Sequence, residues 1–312
     1  MSIFHNNMLG GAGGQSNISI PTISRSLRFN SASSKYLSRT FGTPTTQGTF
    51  TLSLWCKRSA LGVAQQLFGV STNHSFGFTA GDTLNLTFGG TSALTTTAVF
   101  RDPSAWYHIV WTQNGTSHTI YVNNVSVGTA TATSSVFNTA VAHQIGAANT
   151  SSYLSGYLAE IYFIDGQALV PSNFGQSDGD GVWQPKTYSG TYGANSFHLE
   201  FADNSAATAA ALGKDTSGKG NNWTPTNFSV TAGAGNDALV DSPAKYGTDT
   251  GAGGEVRGNY CTWNPLSIAG GALSNGNLDA THTGQGLKQG TISFSAGKWY
   301  WEVTMTSTGD SM

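Results

Sequence analysis

Carboxylates are the first place to look for chemistry in this chain, and they are few. Of 312 residues, 16 are Asp or Glu, and Glu160 is the only glutamate among the first 199. Hydrolysis of a glycosidic bond needs two carboxyl groups, about 5–5.5 Å apart for retention or about 6.5–9.5 Å for inversion. Glu160 stands in the strand-like run Leu158–Ile164, with Asp165 five residues on. An odd separation sends two side chains to opposite faces of a regular strand. Glu200 and Asp203 share that defect. The residues read as non-catalytic, and Glu160 as a strand carboxylate that hydrogen-bonds a neighbouring turn. His108 lies between Tyr107 and Ile109, where an imidazole is a packed, hydrogen-bonded residue. No G-x-S-x-G nucleophile elbow is present. Cys56 reads as a small apolar side chain, and Cys56 with Cys261 makes neither a disulfide framework nor a zinc site. Asp82 and Asp165 fall in turn sequences, where aspartate caps the turn.

Aromatic side chains are the other candidates, because sugars are gripped by ring faces and neutral polar groups. In Thr49–Lys57, Phe50, Leu52, Leu54 and Cys56 share one strand phase and Trp55 the other. Tyr121 alternates with Ile120 and Val122. With the aliphatic phase in the core, Trp55 and Tyr121 point to the opposite face and form a carbohydrate platform. Trp111 is the third candidate for this platform, although the phase it shares with Tyr107 and Ile109 argues against it. The alternative for all three is burial, under residues 175–240 or in the core. The turns Ser71–Ser75, Gly89–Thr97 and Ala147–Ser152 are equally open as sites, since function often sits on loops.

The elements that must position these residues are strands. Period-two alternation in Thr49–Lys57 marks a half-buried strand. Gln66–Val70, Ser75–Thr79 and Leu84–Phe88 follow. Trp106–Gln113 and His118–Val122 flank Asn114-Gly115, a strong hairpin signal. His143–Gly146 and Leu158–Ile164 complete the series. No helix of ten residues is expected. Composition agrees: aromatic residues make up 11% and 40 residues are glycine, while only 10% are charged. Serine and threonine number 75, so polarity comes from hydroxyls rather than charge. A net charge of -2 argues against nucleic acid or an anionic membrane as partner. No apolar run of 18 residues suggests a membrane span. Met1–Gln15 has neither a basic nor an apolar region of the signal-peptide kind. Regular short strands with frequent turns imply an all-β sandwich.

The runs FTLSLWCKR, WYHIVWTQNGTSHTIYVNNVSVG and IGAANTSSYLSGYLAEIYFIDGQAL, over about residues 26–175, resemble the laminin-G-like branch of the concanavalin-A-like lectin/glucanase superfamily. That implies a jelly-roll β-sandwich. It also admits one rim calcium, for which Asp82 and Asp165 are the candidates; no cofactor is otherwise expected. Asn124 departs from a common glycine, and Ala159 from a common aspartate. SAGKWYWEVTM, with Trp299 and Trp301 on one phase, resembles the opening of a SPRY domain, so a second, incomplete β-sandwich is expected over 251–312. Residues 1–25 read as a glycine-rich arm, and 176–250 as a turn-rich connector packing on the first sandwich. The order of arm, sandwich, Asp215–Pro225 segment and SPRY opening resembles tailed-phage virion proteins of the fibre or head-decoration type. The resemblance implies a non-enzymatic virion surface protein that binds host glycans, joins other virion proteins through its arm and forms a homo-oligomer. A purely structural virion subunit and a bacterial adhesin are the alternatives.

Overall fold

The computed structural model describes residues 21–132, 136–244, 256–268, 270–282, 287–297 and 300–306. Most of the expected arm, and Trp299, lie outside them. Residues 26–239 form seventeen strands, all but β13 and β14 belonging to one jelly-roll sandwich: β1 (Ser26–Phe29), β2 (Tyr36–Thr40), β3 (Thr49–Arg58), β4 (Gln65–Ser71), β5 (His74–Phe78), β6 (Thr83–Phe88), β7 (Thr91–Val99), β8 (Trp106–Asn114), β9 (Ser117–Val122), β10 (Val125–Thr131), β11 (Ala142–Ile145), β12 (Gly156–Asp165), β13 (Gly175–Ser177), β14 (Trp183–Pro185), β15 (Phe197–Leu199), β16 (Thr224–Thr226) and β17 (Ala238–Leu239). The first sheet runs β10-β9-β8-β3-β12-β1-β17, with β15 beside β12. The second runs β16-β2-β11-β4-β5-β6-β7. β13 and β14 form a separate hairpin.

Alternation puts Phe50, Leu52, Leu54 and Cys56 of β3 between the sheets, against Phe76, Phe78, Leu84, Leu86 and Phe137. The Asn114-Gly115 turn closes β8 on β9, with Gly115 at φ 62° as a tight hairpin requires. β12, at the centre of the first sheet, is buried over all ten residues. That explains its near-continuous apolar sequence.

The sandwich does not stop at residue 175. β15 pairs with β12 through Ile161 and Leu199, β16 with β2 through Leu37 and Pro225, and β17 with β1 through Leu27 and Ala238. The expected connector therefore supplies strands to both sheets, and its Trp223 lies fully buried in the main core. Strand pairing, which a turn-rich sequence conceals, is the reason: these strands are two or three residues long.

Beyond the sandwich, β18 (Trp263–Ile268) pairs with β21 (Lys288–Gly290), and β19 (Leu273–Ser274) with β20 (Asp279–Ala280). The run read as the strand Lys298–Thr306 is not one over 300–306. Tyr300 is 82% exposed and Trp301 71%. Alternation gives a strand its faces, but its N–H and C=O groups still need a partner strand, and the described residues provide none.

Trp223 gives the test of this architecture. Trp223→Ala should lower unfolding free energy by about 3–5 kcal/mol, the usual penalty for emptying a core tryptophan site. Urea denaturation followed by tryptophan fluorescence measures it. A loss below about 1 kcal/mol would mean that the segment is an appendage.

Candidate functional site

The outer face of the first sheet holds Trp55, as its phase requires, but covers it. Trp55 is 3% exposed and clusters with Ile23, Trp106, Tyr157, Ala159 and Ala244, with Trp183 and Leu239 packed against them. Its indole stacks on His108 at 4.9 Å. The Nε1–H of Trp183 donates to His108 Nδ1 at 2.9 Å. An indole nitrogen only donates, so Nδ1 is the acceptor and the imidazole proton sits on Nε2, facing Ser53 Oγ at 2.8 Å. That tautomer leaves His108 no lone pair for the serine proton. Burial drives its pKa down to about 3. The pair is a structural hydrogen bond, not an activated nucleophile.

Trp111 is fully buried in the core, in edge contact with Phe50 at 4.8 Å and Phe137 at 4.9 Å. It is no part of a surface platform, because its phase is that of Ile109. Tyr121, half-buried on β9 opposite Val110, keeps some exposure. The three aromatics therefore do not form one open surface.

Glu160 occupies a bulge. Its φ is 48°, and the β3–β12 register shifts between Ala159 and Tyr162. Leu158 and Ile161 consequently both point into the main core, although three apart. One extra residue inverts the phase of everything after it, so the odd-separation argument for Glu160 and Asp165 does not apply. The carboxylate meets no turn. Its Oε2 accepts from Tyr162 OH at 3.1 Å and lies 2.9 Å from His198 Nε2. His198 stacks on Tyr162 at 3.8 Å, and its Nδ1 faces Thr216 Oγ1 at 3.0 Å and Glu200 Oε1 at 3.3 Å. Burial, reinforced by the charge of Glu160, raises the Tyr162 pKa far above the phenol value. This closed cluster fastens β15 to β12.

Neither aspartate suggested for calcium is open. Asp82 accepts from Gly62 N at 2.8 Å and lies 3.0 Å from Arg58 Nη2 and 2.7 Å from Arg101 Nε. Burial alone would raise its pKa, but these donors outweigh it and hold the group below the ordinary carboxylate value. Asp165 accepts from Thr45 N, Thr46 N, Asn195 N and Asn138 Nδ2, between 2.7 and 3.3 Å. These bonds overcome desolvation and again lower the pKa. Both act as caps for neighbouring loops. Among the described residues no three His, Cys, Asp or Glu side chains converge as a metal site.

The outer face of the second sheet is different. Leu84, Leu86 and Phe88 of β6 turn inward, so Thr83, Asn85 and Thr87 turn outward. Register places Gln66, Gly77, Asn85 and Thr95 in one row across β4 to β7. A second row carries Thr224, Ser38, Gln144, Gly69, Ser75, Thr87 and Ser92 across all seven strands. Neither row contains a charge. Asn85 Nδ2 donates to Thr95 Oγ1 at 2.7 Å and Ser92 Oγ at 2.5 Å, and Thr87 Oγ1 donates to Asn85 Oδ1 at 2.7 Å. Glycine is required at residue 77, since a Cβ there would lie 2.1 Å from Gln65 O.

Ala147–Ser152 stands over this face. A Cβ on Gly69 would fall 2.6 Å from that of Ala148, so the loop rests on the strand. Thr150 N donates to Gln144 Oε1 at 3.0 Å. Asn149, Thr150 and Ser152 have φ of 51°, 53° and 49°. For β-branched Thr150 this is a true outlier, and such strain concentrates at functional sites. The loop also brings Tyr153 to 6.2 Å from Tyr36. The β4–β5 and β6–β7 turns meet each other at the end of those strands, where Gly90 N donates to Asn73 O at 2.9 Å. The individual residues Gln66, Asn85, Thr87, Ser92, Thr95 and Gln144 were not anticipated, although the alternation in Thr83–Phe88 marks which of them face outward.

Residues 30–173 match the family model of the concanavalin A-like lectin/glucanases superfamily, laminin-G type. Solved structures with similar folds include a Bacteroides ovatus ATCC 8483 protein assigned as carbohydrate binding, at 15% identity and TM-score 0.46, covering 66% of this chain and 59% of that one. Domain 4 of AbnA, a GH43 extracellular arabinanase from Geobacillus stearothermophilus, solved with arabinotriose, matches at 18% identity and TM-score 0.35 over 41% and 65% of the two chains. The heptameric SAP-like pentraxin of Limulus polyphemus matches at 16% and 0.37 over 49% and 80%. The chain thus spans under two thirds of the first two. No curated protein matches the sequence.

Burial makes a pH signature. His108 and His143, the latter lowered to about 4 chiefly by desolvation, stay neutral when folded but protonate when unfolded at about pH 6.5. The unfolded state then binds more protons, so stability is full above that pH and declines as pH falls toward 4. Urea unfolding at stepped pH should show this decline. NMR titration should show the His108 ring unprotonated throughout; a normal midpoint would contradict its enclosure. On the family match and the two-sheet jelly roll, residues 30–173 carry a concanavalin A-like lectin fold of the laminin-G type.

Proposed function

We propose that the protein is a non-enzymatic carbohydrate-binding protein whose glycan site is the outer face of the second sheet. The observation that carries this is the uncharged double row from Gln66 to Ser92, bordered by the strained loop Ala147–Ser152. Neutral sugars present hydroxyls in fixed directions, and amides and hydroxyls held rigidly on strands meet them at little entropic penalty. Tyr36 and Tyr153 add ring surface at the far side of the loop. The lectin-type fold supports the same reading. Calcium has no role in it, since Asp82 and Asp165 are already held by other donors. The resemblance of the whole sequence supports a place on a phage particle, as a fibre or head-decoration protein. There residues 1–25 join other virion proteins, the chain forms a homo-oligomer, and the Gly297–Val303 run opens a SPRY-like sandwich.

A glycan array with the purified protein, run with calcium and again with chelator, tests it. Binding to a few neutral glycans should persist under chelation. Asn85→Ala should weaken it at least about tenfold, the equivalent of losing one or two hydrogen bonds. Tyr121→Ala, on the first sheet, should leave it intact. Loss with Tyr121→Ala but not Asn85→Ala would move the site to the first sheet. No binding in any condition would favour a purely structural subunit.

A further inference from the structure

The covered face of the first sheet contains a lysine with an unusual set of neighbours. Lys57 is fully buried on β3. Its Nζ lies 2.8 Å from Asp241 Oδ2, 2.9 Å from Asn259 Oδ1 and 2.6 Å from the carbonyl oxygen of Tyr260. Trp55, Trp106 and Tyr157 wall the site, the Tyr157 ring 5.7 Å from Nζ. Trp106 Nε1 and Tyr260 N each donate to Asp241 Oδ1 at 3.2 Å, which leaves Oδ2 to the lysine. Asn259 is held in place twice: its Nδ2 donates to Ser104 O at 2.7 Å, and the adjoining Gly258 forms a parallel bridge with Asp241.

We propose that this site forms an intramolecular isopeptide bond between Lys57 and Asn259, with Asp241 as its acid–base group. An amine 2.9 Å from Oδ1 is at most about 4.1 Å from Cγ, given a C=O bond of about 1.23 Å. That is close to the about 3–3.5 Å of a near-attack arrangement. In the first step the ammonium proton passes to Asp241 Oδ2, 2.8 Å away, and leaves a neutral amine. The Nζ lone pair attacks Cγ of Asn259 and a C–N bond forms. The tetrahedral intermediate collapses as the Cγ–Nδ2 bond breaks. Asp241 returns its proton to the departing nitrogen, which leaves as ammonia, and the second amine proton follows to solvent as ammonium. Lysine ammonium and asparagine amide become a secondary amide and ammonium, with no oxidant and no external reagent. The cross-link closes a span of 202 residues, and closing a long loop restricts the unfolded chain.

Intact-mass measurement and tandem mass spectrometry of a tryptic digest test this on the full chain. The wild-type protein should be lighter than its sequence mass by one ammonia. It should yield one branched peptide joining Lys57 to Asn259, and should run faster on a denaturing gel without reductant. Asn259→Ala leaves the Lys57–Asp241 pair in place; it should fold, have its full mass and migrate more slowly. Asp241→Asn should likewise keep the full mass. Full mass in the wild type, with trypsin cleaving after Lys57 even after prolonged incubation, would overturn the proposal. So would a mass loss that yields no joined peptide, which would be succinimide formation at another asparagine.

Discussion

Buried positive charge is the constraint on which the rest of the fold depends. Arg28 and Lys57 are fully buried on the first sheet, and Lys35 nearly so beside it. Removing such an ion from water costs several kcal/mol unless a counter-charge comes with it. The counter-charges are Asp237, which takes Arg28 at 3.1 Å and Lys35 at 2.6 Å, and Asp241, which takes the Lys57 ammonium at 2.8 Å as the chain folds and before any cross-link forms. Both aspartates lie more than 170 residues further along the chain, at the two ends of the strand pairing that β17 makes with β1. The first sheet therefore cannot close its outer face until that late segment has docked. The same docking brings cover over Trp55 and Trp106.

From this follows the asymmetry between the sheets. The first is buried on both faces along β1, β3 and β12 and carries the chain's dry chemistry: neutral His108, the Glu160–His198 pair and the Lys57 site. The second buries one face and leaves the other in water, where threonine, serine, asparagine and glutamine take the outward positions. A composition poor in charge and rich in hydroxyls is what such a face requires. Some of the few charges that remain neutralise one another inside, as Arg28, Lys35, Lys57 and Arg58 do with Asp237, Asp241 and Asp82.

The sequence made the inner face legible because alternation is a local property. Phe50 to Cys56, and Leu84 to Phe88, declare their core side without help from elsewhere. Trp55 declared its opposite phase equally well, but what covers it comes from Trp183 and Ala244, and no local pattern reports a distant neighbour. Glu160 shows a second kind of blindness. Its bulge leaves no mark in the letters LAEIYFI, yet it reverses every side chain after it. At the other extreme, residues 300–306 alternate as well as any strand of the sandwich, and the structure leaves them unpaired. The candidate face lay between these cases. Its turns could be picked out, but its side chains become a surface only when register aligns residues from strands far apart in sequence.

The loop Ala147–Ser152 has one more consequence. It rests on Gly69, in the middle of the row that crosses all seven strands, and splits that row in two. From β4 to β7 the open stretch is about 15–20 Å wide at the usual strand spacing. A long polymer laid across the strands would strike the loop. A short oligosaccharide, or the free tip of a branch, would fit against it end-on. The architecture thus favours reading where a sugar chain terminates over gripping it along its length.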